Sequence, residues 1–385
     1  MTFQLRLPNI PELPEAADAS DTEGCIQCQV GSKVVLIITG HCHWMCDYCP
    51  LSENRREIDF MYANERRVEI GDWGAVIEEA QAMNATGAGI TGGDPVMARE
   101  RVLEGCRILK TEFGDGFHLH MYTSIPFKAE WAAEFAQAGL DEIRFHFLDL
   151  KAEKYRETIA ACTAAGMLTG VEIPTEPDKA DELFELLETL RGMDVQFLNL
   201  NELEITVGNH DNMVVRGFNL SDEITAGAAG SAELSVRMRD RVIAAQIGAP
   251  DPEDGEVREA YPYHLKFCTS TYKDSGQLRR RFLRRGENTI SPHEILTEDG
   301  TLVFGSIDCD SDDAADWIEE IHERTGLPRR FMYFDEDNGR IELPLVMAEE
   351  LAGEIDAPIA LVEVHPTHER LEMTVVYLDG ADRDE

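Results

Sequence analysis

The sequence predicts an α/β fold in which a partial (β/α) barrel is followed by a C-terminal α+β accessory domain. Two observations predict the barrel. Short β-type runs alternate with helical segments six times between residues 34 and 201, and the polar side chains of several runs share one face. A third observation predicts the accessory domain, because from about Thr301 the chain changes to closely spaced strands with a hairpin signal at Asp337-Asn338-Gly339.

The composition is strongly acidic. The 385 residues include 35 Lys plus Arg and 74 Asp plus Glu, which gives a formal charge of −39, and Lys supplies only 8 of the cations. Carboxylates spread along a whole chain that avoids Lys are typical of surfaces that hold water and cations at high salt, so we expect a halophilic archaeon as the source. General binding of polyanions is disfavoured, and the 43% of hydrophobic residues suffices for a sizeable core.

The start of the chain predicts a cytoplasmic protein that makes no contact with membranes. No apolar run near the start approaches the ~20 residues that cross a bilayer, and residues 1–16 lack the basic and apolar regions of a signal peptide. Disulfides are not expected in that compartment. The 9 Cys are therefore interpreted as buried apolar residues, metal ligands or reactive thiols.

The six β-type runs and the helices between them call for a parallel sheet. We expect an N-terminal arm over residues 1–22, the barrel over 23–250, a basic Cys-containing segment packing on the barrel over 251–290, and the accessory domain over 291–385. The Gly- and Pro-rich stretch 248–255 predicts a linker. The predicted strands are 34–39, 88–91, 118–123, 142–147, 168–173 and 197–201; the predicted helices are 73–84, 100–113, 129–138, 151–165 and 179–191.

Four of the predicted strands alternate polar and apolar side chains in the same sense. The economical arrangement is a curved sheet with helices on its apolar outer side and an inner cavity that holds a polar ligand. The alternative is a hydrogen-bonded network without a ligand. The inward-facing polar residues are His118, His120, Tyr122, Arg144, His146, Glu172, Asn199 and Asn201.

The loop after the first predicted strand carries Cys42, Cys46 and Cys49 at C-x3-C-x2-C spacing. Thiolates are the soft ligands that iron–sulfur centres require, and a cubane held by three of them leaves one iron open. There are two alternatives: a zinc knuckle completed by His41 or His43, or a spacing of three thiols that arose by chance. The end of a barrel strand, where barrel active sites lie, favours a catalytic cluster.

These residues resemble the radical S-adenosylmethionine (radical SAM) superfamily. The three thiols match its loop, Tyr48 supplies the aromatic residue before the last thiol, and Gly92-Gly93-Asp94 resembles its Gly-Gly-Glu segment, with Asp in place of Glu. The resemblance implies a (β/α)6 partial barrel over about residues 30–205. Residues 24–68 and the segment ending in Asp94-Pro95 further resemble archaeal proteins related to the pyruvate formate-lyase activating enzyme.

The resemblance also implies cofactors and a reaction. Cys42, Cys46 and Cys49 would hold a [4Fe–4S] cluster, and an electron from it would cleave SAM to methionine and a 5′-deoxyadenosyl radical that abstracts hydrogen from the substrate. A reductant such as ferredoxin or flavodoxin would supply the electron. The adenine would lie by Tyr48 and the methionyl amine by Gly92, Gly93 and Asp94. Contacts with SAM or substrate are expected from the inward-facing His120, Arg144, His146, Glu172 and Asn201.

Three further thiols suggest a second metal site. Cys25 and Cys28 form a C-x2-C pair before the first strand, and Cys268 lies far downstream. They could share an auxiliary iron–sulfur cluster or a zinc, with His264, Cys309 or substrate as the fourth ligand. A redox pair plus an unrelated buried Cys is an equal alternative.

The basic segment between Lys266 and Arg285 has two interpretations: an anion site for substrate or RNA, or an internal counter-charge that docks the segment on the barrel. High salt disfavours RNA held by charge alone. The leading functional prediction is a radical SAM enzyme acting on a small polar or anionic substrate. The alternatives are modification of a macromolecule, either tRNA or a protein glycine, and a non-catalytic iron–sulfur carrier or redox sensor.

Overall fold

The computed structural model describes residues 21–52, 55–221 and 225–378. Its described residues form two compact units: an N-terminal unit that ends at Leu278, and a C-terminal unit from Arg279 onward that also includes Ala82–Asn84. Apart from Asp21 and Thr22, the predicted N-terminal arm lies outside the described residues. Within the described part of the chain, no helix is long and apolar enough to cross a membrane.

A nine-stranded sheet organises the N-terminal unit, in the order β3-β2-β1-β4-β5-β6-β7-β8-β9. Strands β1 and β4 to β9 run parallel, and the hairpin β2-β3 adds to the β1 edge in the antiparallel direction. The strands are β1 (Lys33–Thr39), β2 (Met61–Ala63), β3 (Arg66–Val68), β4 (Gly87–Gly92), β5 (His118–Thr123), β6 (Glu142–Phe145), β7 (Leu168–Thr175), β8 (Phe197–Glu202) and β9 (His264–Cys268).

Helices connect the parallel strands, as a (β/α) array requires. The apolar side chains of the strands, among them Leu119, Phe145 and Ile173, are fully buried. Polar side chains of the same strands line a cavity inside the barrel; they are Tyr122, Arg144, Glu172, Asn199 and Asn201. The helices are α1 (Glu23–Gln29), α2 (Trp73–Ala82), α3 (Arg99–Phe113), α4 (Ala129–Ala138), α5 (Arg156–Ala164), α6 (Ala180–Leu190), α7 (His210–Val215) and α8 (Ser231–Gln246).

The six predicted strands and the partial barrel are confirmed, and the differences lie at the boundaries. The helix expected over residues 151–165 begins later, at Arg156, because Ala152–Tyr155 form a 3-10 turn. The elements of this unit that were not predicted include helix α1, the β2-β3 hairpin, helix α7 and strand β9. Of the residues whose role the sequence left open among the 9 Cys, Cys106 in α3 and Cys162 in α5 are fully buried core residues.

The C-terminal unit has an antiparallel sheet in the order β12-β13-β11-β14-β15, with β10 paired to β11. The predicted hairpin is confirmed: Tyr333–Asp335 pairs with Arg340–Leu343, and the preceding Arg329–Phe331 form a 3-10 turn. The hydrophobic core of the C-terminal unit contains Ile307, Ile341, Leu343 and Ile359. The elements are α9 (Arg279–Thr289), β10 (Ile295–Leu296), β11 (Leu302–Asp308), α10 (Ala314–Thr325), β12 (Tyr333–Asp335), β13 (Arg340–Leu343), α11 (Leu345–Leu351), β14 (Ile359–Val364) and β15 (Glu372–Tyr377).

Candidate active site

The loop with the three thiols follows β1 and is fixed by backbone contacts. Arg56 holds it by donating hydrogen bonds to the carbonyl oxygens of Leu51 and Cys49, both at 2.8 Å, and of Gly208 at 2.9 Å. Asn209 adds a 3.0 Å hydrogen bond to the carbonyl oxygen of Tyr48. Because these donors act on the backbone, the thiol side chains remain available to a ligand.

Gly92 and Gly93 let the end of β4 pack directly against this loop. A Cβ on Gly93 would lie 2.0 Å from the carbonyl oxygen of His41, and one on Gly92 would lie 2.3 Å from that of Thr39. The Gly93 N–H donates to the Thr39 carbonyl oxygen at 2.8 Å. The two glycines are therefore required by the approach of the loop backbone, in addition to lining the cavity described below.

Asp94 is fully buried and accepts four hydrogen bonds from its own chain. One oxygen accepts from the Val96 N–H at 3.1 Å and the Thr123 hydroxyl at 2.8 Å; the other accepts from the Ser124 N–H at 2.8 Å and the Ser124 hydroxyl at 2.7 Å. These contacts tie the end of β4 to the end of β5. They occupy the acceptor positions of a carboxylate, so Asp94 acts first as a clamp between two strand ends.

A cavity of about 280 Å³ opens beside the three thiols. Burial, followed by the neighbouring Cys49, raises the pKa of the Cys46 thiol to about 12. Three thiolates in one place repel one another unless a cationic group binds them. The lining includes Cys42, Cys46, Cys49, Tyr48, Gly92, Gly93, Asp94, Tyr122, Thr123, Ser124 and His146.

Tyr48 and His146 form a hydrogen-bonded pair in this cavity. The Tyr48 oxygen lies 2.9 Å from His146 Nε2, and His146 Nδ1 lies 3.0 Å from the carbonyl oxygen of Glu172. A carbonyl can only accept, so the proton is assigned to Nδ1, and Nε2 accepts from the phenol. Burial lowers the pKa of His146, which agrees with a neutral ring.

A second cavity, of about 210 Å³, lies inside the barrel. Arg144 is its central cation and donates to Glu172 at 2.7 Å and to Glu142. Burial alone would raise the pKa of Glu172, but Arg144 and the amides of Asn199 and Asn201 outweigh it and lower that pKa. The lining is Cys25, Cys28, Tyr122, Arg144, Glu172, Asn199, Asn201, Lys266, Cys268, Lys273 and Gln277.

The structure thus sorts the predicted site residues into two groups. Tyr48, Gly92, Gly93, Asp94 and His146 join the three loop thiols around the first cavity, whereas Arg144, Glu172 and Asn201 join Cys25, Cys28 and Cys268 around the second.

One predicted residue lies elsewhere. His120 is absent from both linings; it packs over Gly89, where an added Cβ would lie 2.7 Å from its Nε2. Sequence reasoning missed Ser124 and the loop anchor Arg56, because a hydroxyl or a basic side chain in a loop has no distinguishing spacing. It also gave no separate role to Tyr122, which lines both cavities.

The partial barrel and the three-thiol loop define the class of radical SAM enzymes. The radical SAM superfamily model matches residues 36–173, and a model described as a domain of unknown function (DUF8061) matches residues 300–378. The chain is 35% identical over 314 residues to a protein of Methanocaldococcus jannaschii named "Putative glycyl-radical enzyme activating enzyme", covering 79% of this chain and 78% of that protein. The chain belongs to the radical SAM superfamily.

More distant similarities extend over much of the chain. It is 24% identical over 285 residues to the "Probable GTP 3',8-cyclase" of Methanothermobacter thermautotrophicus, covering 69% of this chain and 88% of that protein. The crystal structure of Streptococcus suis SuiB bound to S-adenosylmethionine matches with a TM-score of 0.39 and 14% identity, over 62% of this chain. The present chain spans 50% of the SuiB chain.

The residues around the first cavity fit the cofactors of this superfamily, a [4Fe–4S] cluster and SAM. The lining provides three soft thiol ligands, Cys42, Cys46 and Cys49, which leaves one iron without a protein ligand. The remaining lining combines exposed glycine backbone with the aromatic Tyr48. Such a surface can accept a ligand that has both a polar amino acid group and a flat base.

Proposed function

We propose that the protein cleaves SAM reductively at the first cavity and abstracts a hydrogen atom from a small polar or anionic substrate. The observation that carries the proposal is the convergence of three thiols, a Gly-Gly backbone and Tyr48 on one cavity. When bound, the cluster and SAM supply the electron transfer and the 5′-deoxyadenosyl radical. A protein reductant of the ferredoxin or flavodoxin type would deliver the electron.

The chain's own residues would bind and orient these groups. Cys42, Cys46 and Cys49 would hold the cluster as thiolates, and Arg56 keeps their loop in place through hydrogen bonds to backbone carbonyls. The Tyr48 ring, whose orientation is set by its hydrogen bond to His146, would contact the adenine. The backbone of Gly92 and Gly93 would contact the methionyl group. Asp94 keeps this wall in position through its hydrogen bonds to Thr123 and Ser124.

The second cavity supports a polar substrate next to the SAM site. Its groups carry both signs of charge, and Arg144 is held by Glu142 and Glu172, so its guanidinium is fixed in orientation. Tyr122 lines both cavities, which makes the two sites neighbours. Enclosure in the barrel would exclude water from the radical.

Two other candidates remain as outcomes of the experiments. A protein glycine as the hydrogen donor is favoured by the name of the M. jannaschii relative, and tRNA would be a second macromolecular substrate. A carrier or sensor without catalysis is disfavoured, because it has no use for a cavity beside the cluster loop.

The experiment is anaerobic reconstitution of the full chain with ferrous iron and sulfide, followed by dithionite and SAM. We expect 5′-deoxyadenosine and methionine in equal amounts, and no 5′-deoxyadenosine from Cys46→Ala. Candidate metabolites, glycine-containing peptides and tRNA would then be scored for faster SAM turnover. An intact cluster that binds SAM without yielding 5′-deoxyadenosine would contradict the proposal.

A further inference from the structure

Three thiols that the first site does not use meet at the second cavity. Cys25 and Cys28 lie on α1, and Cys268 is the last residue of β9. All three line the cavity of about 210 Å³, although some 240 residues separate the two chain segments. Cys25 and Cys268 are buried. The fold therefore brings together a C-x2-C clamp and a distant third thiol.

Helix α1 is held close to the inside of the barrel. The Thr22 hydroxyl caps it by accepting from the Cys25 N–H at 3.1 Å. Gly24 permits the close approach, since a Cβ there would lie 2.7 Å from both Arg144 Nη2 and Glu142 Oε2. On the other side, the pairing of β8 with β9 sets Cys268 beside Asn201. Backbone structure thus fixes the positions of the thiols on both sides.

Polar donors point at the sulfur of Cys25. Arg144 Nη2 lies 3.5 Å from Cys25 Sγ, and Asn199 Nδ2 lies 3.4 Å from it. Lys266 and Lys273 line the same cavity. N–H groups directed at a ligating sulfur, with cations nearby, are the surroundings that stabilise iron–sulfur clusters and tune their potentials. An inert buried Cys pair would be expected in apolar surroundings instead.

The spacing of the thiols favours a cluster over a single ion. Sulfurs bound tetrahedrally to one zinc at ~2.3 Å lie less than about 4 Å apart. Among the described residues, the His/Cys/Asp/Glu ligand atoms that lie within 4.8 Å of one another in groups of three are those of His293, Glu294 and Glu342. Cys25, Cys28 and Cys268 do not form such a group of three, and neither do Cys42, Cys46 and Cys49. A cluster distributes its thiolates over several irons and tolerates this wider spacing.

We propose that Cys25, Cys28 and Cys268 hold a second iron–sulfur cluster inside the barrel. Neither alternative protein ligand lines the cavity: His264 pairs with Asp21 at 3.4 Å, and Cys309 belongs to the C-terminal unit. The lining described here thus provides three thiols, and one iron would be left for a non-protein ligand, so the polar substrate proposed for this cavity would bind beside the cluster or at that iron. This assignment goes beyond the proposed function and does not depend on SAM cleavage.

The test removes the first site and asks whether iron remains. After anaerobic reconstitution with ferrous iron and sulfide, Cys42→Ala/Cys46→Ala/Cys49→Ala should retain about four irons and give an electron paramagnetic resonance signal on dithionite reduction. Adding Cys25→Ala, Cys28→Ala and Cys268→Ala should abolish both. As the matched control, adding Cys106→Ala and Cys162→Ala instead should leave both unchanged, because these thiols are buried in α3 and α5 away from the cavity.

Two results would overturn the assignment. One is equal iron in the three-alanine and six-alanine variants when their circular dichroism spectra match. The other is stoichiometric zinc at this site. If the six-alanine variant does not fold, Cys268→Ala in the otherwise native chain should lose about four of about eight irons, and retention of all would also refute the assignment. Absence of 5′-deoxyadenosine from the native chain would instead contradict the proposed function and leave the iron counts unaffected.

Discussion

Asp94 combines a place beside the three-thiol loop with a full set of internal hydrogen bonds. In Asp94→Asn, an amide NH2 would replace an acceptor and face the N–H and hydroxyl of Ser124. We expect the free energy of unfolding to fall by about 2 kcal/mol and the Kd for SAM to rise about tenfold. Chemical denaturation and equilibrium binding to the reconstituted protein measure the two effects.

The control for this variant is Glu153→Gln, which removes an exposed ion pair to Arg156 and should leave both the free energy of unfolding and SAM binding essentially unchanged. Asp94→Asn with unaltered stability and affinity would mean that the four contacts contribute nothing to the site.

The site residues that could be predicted from the sequence are those that belong to motifs with a fixed spacing. The C-x3-C-x2-C loop and the Gly-Gly pair could be found because each has a fixed interval, and the structure places both on one cavity. The sequence could not show that His120, unlike Tyr122 on the same strand, lies outside both cavities. The alternation of polar and apolar residues predicts which face of the sheet a side chain lies on, but not how far along the strand a cavity extends. The position of His120 over Gly89 depends on the adjacent strand β4, which the local pattern does not contain.

At the scale of elements, the contact between β4 and the thiol loop depends on Gly93. An alanine there would place its Cβ 2.0 Å from the carbonyl oxygen of His41, and the loop backbone would have to move. We expect Gly93→Ala to lose about 2 kcal/mol of unfolding free energy and to weaken SAM binding about tenfold. Denaturation and binding titrations with the reconstituted protein report these changes.

Gly116→Ala is the matched substitution, because a Cβ on Gly116 meets no atom within 4 Å. If Gly93→Ala and Gly116→Ala behave alike, the close packing of loop and strand is not needed for SAM binding.

The repeating barrel elements were predictable, and the elements that complete the barrel were not. Alternation of apolar runs with helical periods identifies β1 and β4 to β8. Strand β9 (His264–Cys268) was not predicted, because its short sequence contains a Lys and because it follows the sixth predicted strand only after a long stretch of chain. Helix α1 spans only seven residues and has too few turns to show a period. Both are fixed by tertiary contacts, and both carry the thiols of the second cavity.

At the scale of the whole molecule, buried neutral histidines predict a loss of stability in mild acid. Burial and then Lys33 lower the pKa of His118 to about 3, and burial also lowers the pKa values of His120 and His146. The unfolded chain takes up these protons below about pH 6.5 while the folded chain does not. The free energy of unfolding should therefore fall between pH 6.5 and 5, by at most about 1.4 kcal/mol per pH unit per histidine.

Chemical denaturation at constant salt across this pH range measures how steeply the free energy of unfolding depends on pH. The variant His118→Gln should make that dependence weaker, because the Gln side chain does not titrate while its carbonyl oxygen can still accept a hydrogen bond from Lys33. Equal stability at pH 7 and pH 5 would show that these rings are not held neutral. Paired carboxylates such as Glu172 contribute in a lower window, below about pH 4.5, because their pKa is lowered in the folded state.

The net charge of −39 predicts a dependence on salt. Like charges spread over one chain repel most at low ionic strength, and salt screens them. We expect Tm to rise by about 5 °C or more between 0.2 M and 2 M KCl. Thermal scans in KCl and in sucrose of equal osmolality would separate screening from water exclusion. A Tm that is insensitive to KCl would remove the halophilic interpretation.

Tyr122 borders both cavities, with Arg144 Nη1 3.2 Å from its hydroxyl oxygen on one side and the thiol loop's cavity on the other. The Tyr122 ring is thus part of the wall of both cavities. In the proposed reaction, a substrate in the second cavity would meet the radical formed at the first cavity beside this ring. Replacing Tyr122 with alanine would widen the space between the two sites, so the ring would help to decide which hydrogen atom of the substrate comes within reach.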